Sequence, residues 1–209
     1  WNFPFWQVFR FAAPTIMGGN TAVLKHASNV PGCALAIEEL FREAGFPENV
    51  FRSLLIKGGE VAKVIQHPAI KAVSLTGSTP AGKSVASVAG SVLKKCVLEL
   101  GGSDPYIILK DAEIESAAKI CAAGRLLNAG QSCIGAKRFI VEKDVYPQFL
   151  EYFTYEMNNA IFGDPFDEET TMGPLARFDL REELHQQVVN SVEKGAEVVR
   201  LYHSLLGED

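Results

Sequence analysis

The sequence predicts an α/β protein built on a parallel sheet. Short apolar runs with the look of buried strands alternate with longer stretches of helical period across residues 21–93. Glycine and proline punctuate the changeovers at Gly18-Gly19, Pro31 and Pro80. The 209 residues are 47% hydrophobic, which suffices for a buried core and for one or two domains. Strands that alternate with helices pair in parallel, and ligands then bind beyond their carboxyl ends.

Taken in order, Phe5, Val8, Phe9, Ala12 and Ala13 keep helical spacing until Pro14, where the helix is expected to stop before Gly18-Gly19 completes the break. Residues 21–25 read as a strand and 31–44 as the helix that follows. The step recurs, with strands at 51–56 and 71–75 and helices at 60–66 and 81–93. After Gly102 the character changes, to a strand at 105–109, a helix at 113–127 with Ile114, Ala117, Ala118 and Cys121 on one face, and a strand at 138–142. A long helix is expected over 145–162, with Phe149, Tyr152, Phe153 and Tyr155 as core packing. Residues 163–167 break it, 172–175 form a loop, and 181–195 make a polar-faced surface helix. The expected domains are 1–102 and 103–209.

A formal charge of −5 with no basic run argues against a nucleic-acid surface. No apolar stretch has membrane-spanning length, and the first residues resemble neither a signal nor a transit peptide. A soluble, cytoplasmic protein is expected. Cys33, Cys96, Cys121 and Cys133 show neither C-x-x-C pairing nor histidine partners at zinc spacing, so no metal site or disulfide framework is expected. The opening Trp1-Asn2-Phe3-Pro4, without a methionine, reads as the middle of a longer protein.

Chemistry concentrates in residues 126–135, where Cys133 lies in a small turn between Gly130 and Gly135. A thiolate nucleophile needs close approach and little side-chain clutter, which those glycines provide. The same cysteine, taken alone, fits a buried structural thiol. Upstream, Glu99 sits between Leu98 and Leu100 just before Gly101-Gly102, either tied up by backbone donors or kept for work. The strand at 71–75 runs into Thr76-Gly77-Ser78-Thr79-Pro80, where Ser78 or Thr79 can cap a helix whose free N–H groups attract an anion such as a phosphate. Residues 77–84 also spell the P-loop pattern G-x-x-x-x-G-K-[ST]. Pro80 removes an N–H from the middle of that loop, and Lys110 intervenes before Asp111 where a magnesium-binding Asp would be wanted, so the P-loop is rejected.

Trp1-Asn2-Phe3-Pro4, Glu99 with its two glycines, and Gly130-Gln131-Ser132-Cys133 together resemble the aldehyde dehydrogenase superfamily in order and spacing. Gly101-Gly102-Ser103-Asp104-Pro105 and the segment from Gly173 to Arg181 are most similar to its bacterial succinate-semialdehyde dehydrogenase branch. The resemblance implies part of a Rossmann-like dinucleotide-binding domain over 1–102 and the start of an α/β catalytic domain over 103–209. It implies an enzyme that oxidises an aldehyde to the acid with NAD or NADP, working as a homo-oligomer when full length. Two departures stand out: the tail at 201–209 does not continue as the family does, and the family's later Glu-x-Phe-Gly-Pro segment is missing.

By the same resemblance Cys133 is the nucleophile, with the Asn2 side-chain amide and the Cys133 backbone N–H holding the oxyanion and Glu99 activating the water that hydrolyses the thioester. Lys25 would bind the adenine ribose, and the Gly77-Ser78 turn with Gly82 the pyrophosphate. Ser28 stands where many NAD-preferring members carry Glu, which removes a charge that would repel a 2′-phosphate. Two other classes remain open at this level: a cysteine acyl hydrolase, which would leave Lys25 and the Gly77 turn without a role, and an inactive fragment.

Overall fold

In the computed structural model, which describes residues 1–199, the chain forms two compact units, one over Trp1–Gly101 and one beginning at Gly102. Each is built from parallel strand pairs joined by a helix. The first unit holds α1 (Trp6–Met17), β1 (Ala22–Leu24), α2 (Pro31–Glu43), β2 (Phe51–Ser53), α3 (Val61–Gln66), β3 (Ala72–Thr76), α4 (Thr79–Ser91) and β4 (Lys95–Glu99). β1 pairs with β2 from Ala22↔Phe51 to Leu24↔Ser53, and β3 with β4 from Ala72↔Lys95 to Thr76↔Glu99. The α/β class with parallel strands is as the sequence predicts, and the described strands form separate pairs.

Packing in this unit centres on Val8, Ala12, Ala22, Ile37 and Phe51, with Phe9, Leu24 and Phe41 closing over them. Phe41 stacks on Phe51 at 4.8 Å between ring centroids and meets Phe46 edge-on at 5.2 Å. Proline at the first position of α2 suits its missing N–H to a helix start. Pro14 does not end α1, contrary to expectation: it costs the bond to the Arg10 carbonyl, but the helix continues to Met17. Termination falls to the glycines, since Gly18 and Gly19 N–H bond back to Pro14 and Ile16, and Gly19 takes φ +78°. β4 was not expected. Its apolar centre is flanked by Lys95 and Glu99, so it lacks the apolar run that marks β1 to β3.

The second unit comprises β5 (Pro105–Ile108), α5 (Ile114–Leu126), β6 (Arg138–Val141), α6 (Tyr146–Asn158) and α7 (Phe178–Glu193). β5 and β6 pair in parallel from Pro105↔Arg138 to Ile108↔Val141. Ile108, Ile114, Ala118, Cys121 and Phe149 are its core, and Phe153 stacks on Phe149 and leans on Phe139. Tyr155, expected in that core, is instead 64% exposed, because it faces away from the Phe149 and Phe153 side of α6. α6 also stops short of 162. Ile161 N–H donates to Thr171 Oγ1 while Thr171 and Met172 N–H return to Ile161 O, so the backbone there is held by a neighbouring loop rather than by the helix. α7 starts earlier than expected, with Arg177 paired to Asp179 in its first turn. The atypical tail at 201–209 lies outside the described residues.

Ile37 is wholly buried. Ile37→Ala is expected to cost about 2–5 kcal/mol of stability in urea unfolding, whereas Tyr155→Ala should stay within about 0.5 kcal/mol of the wild type.

Candidate active site

Cys133 lies in the return from α5 to β6, not at the carboxyl end of a strand. After Leu126 the chain makes a 3-10 turn in which Asn128 and Ala129 both adopt φ 54°, and Gly130 follows at φ 71°. Left-handed geometry costs a non-glycine residue about 1–2 kcal/mol, so the loop is held against its own preference. What holds it is local bonding. Gln131 N–H donates to Asn128 O at 3.0 Å, Gln131 Nε2 to the same oxygen at 3.3 Å, and Asn128 Nδ2 to Gln131 O at 3.4 Å. Ala176 N–H reaches Gln131 Oε1 at 3.0 Å, which ties the loop to the 173–177 segment. Beyond the cysteine, Gly135 N–H bonds to Ser132 O and Ala136 N–H to Gly124 O. Lys137 Nζ donates to Cys133 O at 3.3 Å and to Gly102 O at 2.6 Å. The thiol itself is part-exposed, while Cys121 in α5 is buried and its thiol is pushed up by that burial, as expected of an inert structural cysteine.

The first unit carries the two other predicted catalytic residues. Glu99 closes β4 opposite Thr76, and its carbonyl accepts from Gly77 N–H at 2.9 Å, so the carboxylate and the Gly77 turn share one strand end. The Glu99 side chain is 51% exposed and stands 3.5 Å from Arg10 Nη2, a loose pair of small energetic weight that leaves the carboxylate in contact with solvent. Asn2 Oδ1 accepts from Gln7 Nε2 at 2.8 Å, which orients the amide.

The predicted cofactor residues also lie in the first unit. Lys25 directly follows β1 and is half-buried, and Ser28 is exposed in the turn that leads to α2. Gly77 bridges β3 and α4, and Ser78 caps α4, its Oγ accepting Ala81 N–H at 3.4 Å. Gly82 is buried: a Cβ there would stand 2.7 Å and 2.8 Å from the Leu100 methyls, so the glycine lets α4 lie flush against the end of β4. Helix begins at Thr79, and Gly77-Ser78 is too short for the loop of successive N–H groups that a P-loop requires.

Residues 1–204 match the aldehyde dehydrogenase family. The chain belongs to that family. Among its relatives, a probable NADP-dependent succinate-semialdehyde dehydrogenase of Synechocystis is 52% identical over 94% of the chain and 43% of its own length. An NAD(P)-dependent succinate semialdehyde dehydrogenase of Escherichia coli is 49% identical over 95% of the chain and 43% of its own length. A crystal structure of succinic semialdehyde dehydrogenase from Streptococcus pyogenes in complex with NADP+ superimposes with a TM-score of 0.92 at 42% identity, over 97% of this chain and 44% of that one. The chain thus spans less than half the length of these relatives. The dinucleotide that the family implies needs a helix N-terminus open to a pyrophosphate and close backbone approach beneath it. Capped α4, the exposed Gly77-Ser78 turn and the Gly82 contact on Leu100 fit that need.

Sequence reasoning missed His26. Its Nε2–H donates to Pro4 O at 2.9 Å and its Nδ1 accepts from Ala27 N–H at 2.9 Å, so the strand end at Lys25 is tied to the Asn2-Phe3-Pro4 turn by a neutral imidazole. A single histidine after Lys25 gives no hint of a partner so far back in the chain. Burial, assisted by the nearby charge of Lys25, holds its pKa below the ordinary 6.5, against the opposing pull of the Pro4 bond. The unfolded chain therefore binds the proton more tightly, and the stabilisation, full above pH 6.5, is lost as pH falls toward the lower folded value. His26→Gln should cost about 1 kcal/mol at pH 7.5, and the gap between the urea midpoints of mutant and wild type should narrow as the pH falls below 6.5. A gap that stays constant with pH would remove the titration from His26.

Proposed function

We propose that the chain is part of an NAD(P)-dependent dehydrogenase that oxidises an aldehyde, foremost succinate semialdehyde, to the carboxylic acid through a thioester on Cys133. One observation carries this: about half of the residues are shared, over nearly the whole chain, with relatives named for that substrate. The motif residues on which the reaction depends all lie within the matched span.

In this reading the Cys133 thiolate adds to the aldehyde carbon, and the Asn2 amide and the Cys133 backbone N–H stabilise the oxyanion that forms. Bound dinucleotide supplies the oxidant, accepting the hydride and with it the two electrons lost by the substrate. Glu99 then takes a proton from the water that attacks the thioester, and the acid leaves as the Cys133 thiolate is restored. A solvent-exposed carboxylate beside Arg10 suits a base that must hand its proton back to water in each cycle.

Lys25 is assigned to the adenine ribose, and Gly77, Ser78 and Gly82 to the pyrophosphate. Residues 1–102 would then form part of the dinucleotide-binding domain and 103–209 part of the thiol domain, in a homo-oligomer when full length. Four free cysteines favour a reducing, cytoplasmic setting. No helix among the described residues is long and apolar enough to cross a membrane.

In the full-length protein, Cys133→Ala should abolish aldehyde-dependent formation of reduced dinucleotide, followed by absorbance, while dinucleotide binding by titration is preserved. Retained turnover would take Cys133 out of the mechanism. Ser28→Glu should raise the KM for NADP by about tenfold, through like-charge repulsion of the 2′-phosphate, with much less effect on NAD. A wild type that already rejects NADP would show that other residues close the pocket.

A further inference from the structure

The geometry points to Arg125 as a positioning residue for Cys133, with its guanidinium lodged inside the thiol loop between Gly130 and Gly135. The inference rests on Cys133 being the nucleophile. Arg125 stands in the last turn of α5, where a cation is favoured by the helix dipole. A residue that served only as a helix-end charge would extend into water. Here the side chain packs within the loop. A Cβ on Gly130 would fall 2.9 Å from Arg125 Nη2 and 3.2 Å from Cζ, and a Cβ on Gly135 would fall 3.7 Å from Nη1. A side chain at 130 would have to displace the guanidinium, and it would also meet Arg125 O at 3.3 Å and a φ of +71°, so glycine at 130 accommodates arginine at 125 where it lies.

The polar bookkeeping separates this arrangement from ordinary stabilisation. Arg125 Nη1 is buried without a hydrogen-bond partner among the described residues, and so is the Oγ of Ser132, a residue only 5% exposed. Buried donors left unmatched lower stability and persist where position matters more. Three successive left-handed residues, Asn128, Ala129 and Gly130, lead the chain to that group. Ser132 and Gly135 flank Cys133, and Ser132 Cβ lies as close as Nη1 to the Gly135 position. The guanidinium therefore acts as a peg about which the backbone from Gly130 to Gly135 is shaped, and it sets the direction of the Cys133 N–H and side chain.

The test compares wild type with Arg125→Met in the full-length protein, by steady-state kinetics and by amide hydrogen exchange without substrate. Arg125→Met should lower kcat by about ten- to a hundredfold with the KM for dinucleotide unchanged, because misplacement of the thiol affects the chemical step and not cofactor binding. Exchange should quicken across 131–136 while α6 keeps its protection. Methylguanidinium added to Arg125→Ala should restore part of kcat, whereas methylammonium at the same concentration should not. If Arg125→Met fails to fold, Arg125→Lys decides, since it keeps the stem and charge but not the fork; wild-type kcat in that variant overturns the proposal. Unchanged exchange across 131–136 in Arg125→Met overturns it as well, whatever the kinetics. Quickened exchange in a protein that oxidises no aldehyde would uphold the placement of Arg125 and fault the dehydrogenase reading instead.

Discussion

Parallel pairing is the constraint on which the rest depends. Two parallel strands cannot be closed by a tight turn, so each pair must carry a helix between its members: α2 between β1 and β2, α4 between β3 and β4, α5 between β5 and β6. Every such crossover has two connections, one leaving a strand and one returning to the next. The cofactor candidates lie on leaving connections, Lys25 after β1 and Gly77 after β3, where helix N-termini gather free N–H groups. Cys133 lies on a returning connection, past the carboxyl end of α5 and the 3-10 turn that follows it. A cation at that end of the helix, Arg125, offsets the helix's own field.

The sequence makes the alternation legible because it is written in apolar runs. β1, β2 and β3 are found within a few residues of their bounds, and so are α2 and α4, which proline marks at their starts. β4 escapes because its hydrogen bonds to β3 do not require an apolar run, and four of its five residues, the charged ends included, are exposed. Pro14 misleads because a proline near the end of a helix costs one bond, which the remaining turn of α1 survives. Distant polar contacts are hidden for another reason: the His26 bond to Pro4 and the lodging of Arg125 join residues that no period relates. Residue types made Cys133 and Glu99 candidates, but nothing in spacing shows what a neighbouring arginine does.

The two glycines around Cys133 have surroundings that the sequence does not reveal. Read from the sequence, they clear space for an incoming carbonyl carbon. In the folded loop the place of a Gly130 side chain is filled by the protein's own guanidinium, and that of a Gly135 side chain is met first by Ser132 O and then by the same guanidinium. A glycine near a reactive group can thus be a socket for a neighbour as readily as an opening for a ligand, and only the atoms around it distinguish the two.

The β5–β6 ladder begins at Pro105↔Arg138, where the proline has no N–H to add to it. Two cationic side chains bond ahead of that rung: Arg138 Nε reaches Ser103 O at 2.9 Å and Lys137 Nζ reaches Gly102 O. They work as a clasp across the start of the second unit. The same lysine also donates to the carbonyl of Cys133, so one side chain joins residue 102, where the second unit begins, to the loop that carries the cysteine.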